Sequence, residues 1–365
     1  MNAVREVVLW CIQNKTTNLN KVQKALYQYL KEKRKLKARF ALDAIRHGIA
    51  IAKSWLKNPR RGRIPVLKTK VVWLTPRLTY KLDWKNKQIW TSGIGNISIT
   101  GWHRKTEEYL NNGWQVKEAR LKQTENGYTV WVYLKKQIEI PDVSTRAVAV
   151  DMNMREVVFG TQNEQKRISA RIKDTERIHR HIQQLQRKYN KTWKRRKGVL
   201  HRIRKLYGRI RNITDDQAKQ TASEIVKYAK HVGADTIVLE DLNGMLKNVV
   251  KKLPKHVRRK LYNSGIRKTQ KWIEWIAKRE GLRVEYVQPA YTSTTCPYCG
   301  SKLKRKKGKI MECPKCGFKA DRDVIAVLNL LRKKMGGTLI SPTALSMTDE
   351  ALSREGEPMN RLGTL

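Results

Sequence analysis

Apolar residues recur at helical spacing in the N-terminal part of the chain. Val22, Ala25, Leu26, Tyr29 and Leu30 follow the i, i+3, i+4, i+7, i+8 rule, and a second stripe runs from Phe40 through Ala41, Ile45 and Ile49 to Ala52. This predicts that residues 1 to about 57 are mostly helical. The run Asn58-Pro59-Arg60-Arg61-Gly62-Arg63 is a breaker, and from Val71 to Ile140 the pattern shifts to short β-branched and aromatic runs such as Val71–Leu74, Ile97–Thr100 and Tyr128–Tyr133. A small β domain is expected there. Six of the 11 tryptophans (Trp73, Trp84, Trp90, Trp102, Trp114 and Trp131) fall within it. Stacking on bases is one use for them, and packing in the core and at a barrel rim is the expected role for most.

After Pro141 strands and helices alternate. A strand is expected at Ala147–Asp151, a hairpin strand at Glu156–Thr161, then long helices, a strand at Thr236–Asp241, a helix over about Val257–Glu280, a strand at Leu282–Val287 and a final helix at Asp323–Lys334. That order implies a mixed α/β sheet with helices on its faces. Between Arg187 and Arg211 the helical stretch carries 12 Lys and Arg and no acid. So many like charges repel unless something neutralises them, which favours contact with a phosphate backbone over a merely solvated face. The last 28 residues, from Thr338, hold four acids and two bases among Pro, Ser and Gly and read as a disordered tail.

Charge sharpens the picture. The chain has 79 Lys+Arg against 31 Asp+Glu, a formal charge of +48, and a polyanionic partner is required. No apolar run approaches the roughly 18 to 20 residues of a spanning helix, and the basic residues are spread along nearly the whole sequence, so nucleic acid is favoured over a membrane. With 365 residues and 40% hydrophobic content there is room for two or three folded domains. Neither a secretory nor a transit peptide is apparent, and the expected location is cytoplasmic.

Two kinds of side chain carry the chemistry. Cys296-Pro-Tyr-Cys299-Gly and Cys313-Pro-Lys-Cys316-Gly have the spacing that brings four thiolates around one Zn²⁺. Tyr298, Leu303, Ile310 and Met311 are too few to hold this segment by burial, so metal is expected to fold it, and four thiolates leave no open position for catalysis. With five Cys and no signal peptide, a disulfide pair or a redox dithiol is the weaker alternative. Cys11 is left as a small buried apolar residue.

The second kind is a set of acids in apolar settings. Asp151 ends Ala147–Val150, Glu240 ends Thr236–Leu239 and precedes Asp241, and Asp323 opens a helix whose stripe is Ala326, Val327, Leu330 and Leu331. Two strand ends and a helix start can converge. Converging carboxylates raise each other's pKa unless cations sit among them, and hard oxygen ligands suit Mg²⁺ beside phosphate and water. Two such ions about 3.5 to 4 Å apart can activate water and stabilise the leaving oxygen in phosphodiester hydrolysis. Singly, Asp321 could instead cap the last helix and Asp241 the turn after its strand.

The order Val-Asp151, Leu-Glu240-Asp-Leu-Asn, Thr292-Ser-Thr-Thr-Cys-Pro-Tyr-Cys-Gly and Cys313-Pro-Lys-Cys-Gly-Phe-Lys-Ala-Asp-Arg-Asp323 resembles the TnpB/OrfB proteins of bacterial and archaeal insertion sequences, relatives of type V CRISPR effectors. The match runs from about residue 20 to 335 and is most specific after 230. It implies an α/β RNase H-like (RuvC-like) nuclease domain over 142–335 with an inserted zinc ribbon at 291–320. Ahead of it come a helical recognition-like region at 1–62 and a wedge-like β domain at 63–141; a disordered tail at 336–365 follows. The implied site is Asp151, Glu240 and Asp323 as catalytic Mg²⁺ ligands, with Asp321 the second choice for the third acid, and Cys296, Cys299, Cys313 and Cys316 on structural zinc. The implied partners are a guide RNA from the transposon end and target DNA, in a prokaryotic, nucleoid-associated setting, and the implied activity is RNA-guided, Mg²⁺-dependent DNA cleavage.

There are two departures from the family pattern. Ile325 stands where an Asn is usual, two positions after the last acid, and the chain begins almost directly in helix where family members usually begin with a strand. Two rival functions are weaker. A DNA-strand-joining transposase with a Tyr nucleophile would bring a paired-His motif, whereas His179 and His181 lie in a basic helical stretch and read as solvent-facing; DDE-type joining would also use three acids, and strand-transfer products would separate it from hydrolysis. A non-catalytic RNA-guided repressor would lack the acids, and all three are present.

Overall fold

The structure is a computed structural model that describes residues 2–337 and Leu339, apart from 60–61, 63, 66, 68–69, 103–104, 125–126, 143, 243–252 and 289. Most of the expected tail lies outside the described residues. Two compact units divide the chain, Met1–Gln137 and Ile138–Leu365.

In the first unit the helical periodicity becomes α1 (Asn2–Gln13), α2 (Leu19–Glu32) and α3 (Ala38–Leu56). Their apolar stripes meet in one cluster containing Val7, Val22, Leu30, Ala41 and Ile45. Cys11 is fully buried in the same cluster, as expected, and burial pushes its thiol up to about 11. The β region forms two antiparallel three-stranded sheets. One has the order β1 (Val71–Leu74), β5 (Gln115–Thr124), β6 (Gly127–Lys135), and the other β2 (Tyr80–Asp83), β3 (Gln88–Thr91), β4 (Gly95–Ser98). A short α4 (Lys105–Asn111) lies between them in sequence. The core here is Leu74, Tyr80, Ile89 and Ala119.

Of the packing expected for most tryptophans, in the core and at a barrel rim, the core part is not met: none of the six is fully buried, Trp73, Trp84, Trp90, Trp102 and Trp114 are half-buried, and Trp131 is 47% exposed. Strand alternation explains it. Val130 and Val132 turn toward Leu121 and Ala119 in the core, which sends Trp131 and Tyr133 to the other face beside Arg120. There the Arg120 guanidinium lies 5.0 Å from the Trp73 ring and 5.1 Å from that of Tyr133, and Lys122 lies over Trp131 at 5.4 Å.

The second unit is built on a five-stranded mixed sheet of order β11 (Arg283–Val287), β10 (Thr236–Glu240), β7 (Ala147–Met152), β8 (Glu156–Gly160), β9 (Gln165–Ser169). β10 runs parallel to both β7 and β11, whereas β7, β8 and β9 form an antiparallel meander. The polar strand β9 has no apolar run to announce it, because it is the edge of the sheet. Helices cover both faces of the two central strands. On one, α6 (Lys197–His231) and α8 (Ile266–Arg279) bury Ala222, Ile225 and Ile273 against Val148, Val150, Ile237 and Leu239. On the other, Val327, Leu330 and Leu331 of α9 (Arg322–Met335) pack on Ala149, Val158 and Val238.

The helix expected over about 257–280 is broken into α7 (Lys255–Ser264) and α8. Gly265 adopts φ +71° between them, and a Cβ there would stand 2.7 Å from Thr214 Cγ2, so the kink belongs to glycine. α5 (Ile172–Lys188) and a short 3₁₀ turn, Asn190–Lys194, precede α6. Within α5, His179 is buried with its ring edge-on to Tyr207, which corrects the solvent-facing expectation: Ile178 and Ile182 turn this side of the helix inward. The small strands β12 (Lys304–Arg305), β13 (Ile310–Glu312) and β14 (Lys319–Asp321) form a separate antiparallel sheet that leads directly into α9. Among the described residues no helix is long and apolar enough to cross a membrane.

Candidate metal centres and nucleic-acid surface

The two Cys-x-x-Cys-Gly turns fold alike. Gly300 N donates to Cys296 O and Gly317 N to Cys313 O, each at 3.0 Å, and both glycines take φ +74°. Each first cysteine closes its turn by donating from N to the carbonyl of Ser301 or Phe318, at 2.8 Å. The four Sγ atoms then lie within 4.8 Å of one another, with Cys296 and Cys316 at 3.6 Å and Cys299 and Cys313 at 3.4 Å. A zinc tetrahedron with bonds of about 2.3 Å has S···S edges of roughly 3.8 Å, so the donor set fits structural zinc. Around it Leu303, Tyr298, Met311 and Phe318 make a small apolar cluster that is completed from α9 by Ile325. The position where the family pattern has Asn is therefore a packing contact between ribbon and helix.

Asp151, Glu240 and Asp323 are all buried. Asp151 is on β7, Glu240 is the last residue of the parallel neighbour β10, and Asp323 is in the first turn of α9, which packs across both strands. Burial raises the Asp151 carboxyl, and the charges of Glu240 and Asp323 raise it further, to about 7. The three acids thus share one electrostatic environment. Asn153 Nδ2 donates to Asp151 Oδ2 at 2.6 Å and partly offsets the effect. Glu240 is also raised, by burial, against a hydrogen bond from Thr292 Oγ1 at 3.2 Å and the charge of Lys333. Asp323 goes the other way. Burial would raise it, but the Lys309 ammonium at 2.5 Å and the Arg322 guanidinium at 3.4 Å outweigh that and hold it below the usual carboxylate range.

Asp321 is the N-cap of α9, its Oδ1 accepting from Asp323 N at 2.8 Å, while its side chain also pairs with Arg167 at 3.1 Å. Asp241 is exposed. Several residues near the acids escaped the sequence reading. Asn329 Nδ2 donates to Thr292 O at 2.8 Å and Thr295 O at 2.7 Å, which ties α9 to the loop whose Thr292 holds Glu240. A polar residue inside the Val327–Leu330 stripe was its signal. Lys309 and Arg167 had none, being two among 79 basic residues.

Of the 12 basic residues from Arg187 to Arg211, 11 are exposed, Lys191 being outside the described side chains. None of those 11 forms an ion pair among the described residues. Ile203 and Ile210 take the inward positions of α6, so its positive charge is left on the solvent side.

Residues 267–330 match the family model described as Cas12f1-like, TNB domain. The chain is 27% identical to TnpB-like protein MJ0751 of Methanocaldococcus jannaschii over 68% of its own length and 89% of that protein. It is 32% identical to TnpB-like protein MJ0012 of the same organism, over 42% of its own length and 71% of the relative. CRISPR-associated endodeoxyribonuclease Cas12f2 of a Micrarchaeota archaeon is 31% identical over 40% of this chain and 29% of the relative. Among solved structures, the protein in a Cas12f1–sgRNA–target DNA complex superposes with a TM-score of 0.54 at 15% identity, over 91% of this chain and 81% of that one. That last likeness is one of fold.

Proposed function

From the premise that this chain belongs to the TnpB-like family, we propose that it is an RNA-guided DNA endonuclease that hydrolyses phosphodiester bonds at Asp151, Glu240 and Asp323. One observation carries the reading. Three acids from distant parts of the sequence are buried in a common field, with Asp151 raised to about 7 by burial and by the other two. Such a set is unfavourable without cations, and its oxygen donors suit Mg²⁺. Asp151, Glu240 and Asp323 would be the ligands; when bound, the metal supplies Lewis-acid activation of water and stabilisation of the leaving oxygen. Asn153 and Thr292 orient the first two carboxylates by hydrogen bonds, and Asn329 fixes the loop that carries Thr292. The four cysteines would hold structural zinc and so set the start of α9.

The partners follow from charge and kinship. The relatives named for endodeoxyribonuclease activity and for a complex with sgRNA and target DNA support a guide RNA, drawn here from the transposon end, and a DNA target. The unpaired cations of α6 and the residues before it would contact the phosphate backbone, while base pairing supplies most of the sequence specificity. On this reading residues 1–62 and 63–141 form the target-reading part and 142–335 the nuclease. The test is cleavage of target DNA by the protein with its copurified RNA. Asp151→Ala should abolish Mg²⁺-dependent cleavage and leave RNA binding intact; retained cleavage by that variant overturns the site.

A further inference from the structure

Asp323 is a buried anion, with its side chain only 2% exposed, and a buried charge needs a partner. Arg322 of α9 itself reaches Asp323 Oδ1 at 3.4 Å, and a closer partner comes from the zinc ribbon. Lys309, in the turn between β12 and β13, donates from Nζ to Asp323 Oδ2 at 2.5 Å and also to the Glu156 carboxylate at the start of β8. Its carbonyl oxygen accepts from Arg322 N at 2.9 Å, so the residue is tied to the start of α9 through its backbone as well. The turn itself is fixed by Ile310 N donating to Lys307 O at 2.9 Å. Beside this link, Arg167 of β9 joins Glu156 at 3.2 Å to Asp321 at 3.1 Å without touching Asp323.

The two ends of the Lys309–Asp323 pair differ in freedom. The carboxylate is enclosed, whereas the lysine side chain is 44% exposed and has a second acid, Glu156, within reach. A long flexible stem with an ammonium at the protein surface can withdraw at little desolvation cost.

We propose that Lys309 is a positioning residue that serves as an exchangeable counter-ion. In the metal-free protein it neutralises Asp323 and holds the first turn of α9 against β8. When a divalent cation takes Asp323, the ammonium retires to Glu156. The proposal rests on Asp323 being a metal ligand. Its consequence is that the ribbon sets the affinity of the acid site, since any cation must displace a lysine that zinc folding holds in place.

Calorimetric titration of Mn²⁺ into the zinc-loaded full-length chain, without nucleic acid, tests this. Lys309→Ala removes the competitor and should bind about 10-fold more tightly, about 1.4 kcal/mol. Lys309→Arg should restore an affinity near that of the wild type, and Arg167→Ala, which removes a nearby positive charge that does not touch Asp323, should shift it less than about 2-fold. Lys309→Gln, with the same expectation as Ala, serves if the alanine variant loses zinc. Unchanged or weaker binding on removal of Lys309 overturns the proposal, as does an equal shift from Arg167→Ala, which would reduce the effect to general charge. Binding in the wild type that Asp151→Asn abolishes, with no change on removing Lys309, would leave the acid site standing and sink the exchange alone. No such binding in the wild type overturns both.

Discussion

If the proposed function holds, the ribbon and the acid cluster are two ways of preparing for a metal, and they are built on opposite principles. The ribbon gathers four soft thiolates from Cys296 to Cys316, and its turns place every Sγ within 4.8 Å of the others. Among the described residues no trio of carboxylate or histidine ligands closes to a comparable distance. The acids come instead from β7, β10 and α9 and are positioned by a sheet that exists for its own core, and the charges of Glu240 and Asp323 bear unfavourably on Asp151. On the proposed reading, one site depends on metal for its fold. The other depends on the fold and needs cations for its charge, one of which the ribbon lends through Lys309.

The largest effect should come from breaking the ribbon. Cys296→Ser removes one of four ligands from a segment whose metal can supply roughly 10 to 16 kcal/mol of apparent folding free energy. Because Ile325 packs into the same cluster and Asp323 lies two residues away, the damage should reach the acids. We expect loss of stoichiometric zinc, loss of amide protection over residues 296–321 and loss of cleavage together. A zinc-free variant with normal protection and cleavage would separate two regions that the fold joins.

Next comes the charge on Asp151. Its carboxyl binds a proton more tightly in the folded chain, near 7, than at its ordinary 3.8. The folded state therefore holds more protons across that interval, and without divalent cations its stability falls as pH rises from about 4 to about 7, by up to about 4 kcal/mol. Glu240 shifts in the same sense and Asp323 in the opposite one. The difference between the wild type and Asp151→Asn isolates the first group. Chemical denaturation at several pH values should show the variant with a flatter profile and greater stability at pH 8, although it should not cleave. A variant less stable than wild type at pH 8 would mean the charge is not frustrated.

Asn329→Ala should cost less. It leaves the carbonyls of Thr292 and Thr295 without their buried donor, about 1 to 3 kcal/mol of stability. Because Thr292 also donates to Glu240, cleavage should fall by about 10-fold while zinc content stays constant. An unchanged rate would show that the loop holds Glu240 without help from α9.

What could be read in the sequence follows the same contrast. The cysteine turns were legible because their geometry is local, and the placement of Asp151 and Glu240 on the central strands because such strands carry unbroken apolar runs. Lys309 was not, because its importance lies in a contact across 14 residues to Asp323 and 153 to Glu156, and nothing local distinguishes it from other lysines. Trp131 could not be placed for a related reason: composition says that an aromatic residue is present, while strand register decides which face it takes, and β6 turns Trp131 outward. The break at Gly265 depended on Thr214 lying against it, a neighbour 51 positions away by number.

The smallest expected effect concerns the surface, where metal plays no part. Arg202, Arg204 and Lys205 are exposed on α6 and have no acidic partner among the described residues. If they contact the phosphate backbone, changing all three to Gln should weaken binding to any sequence and reduce the slope of log K against log salt by about 2 to 3, since each contact releases about 0.7 to 0.9 of a counterion. The two metal regions should not register the change: zinc content, Mn²⁺ affinity and the pH profile of stability should match the wild type. A uniform drop in affinity with an unaltered salt slope would place the phosphates elsewhere. A shift in Mn²⁺ affinity would instead mean that the charge on α6 acts on the buried acids, and that the separation between binding surface and acid site is less complete than the fold suggests.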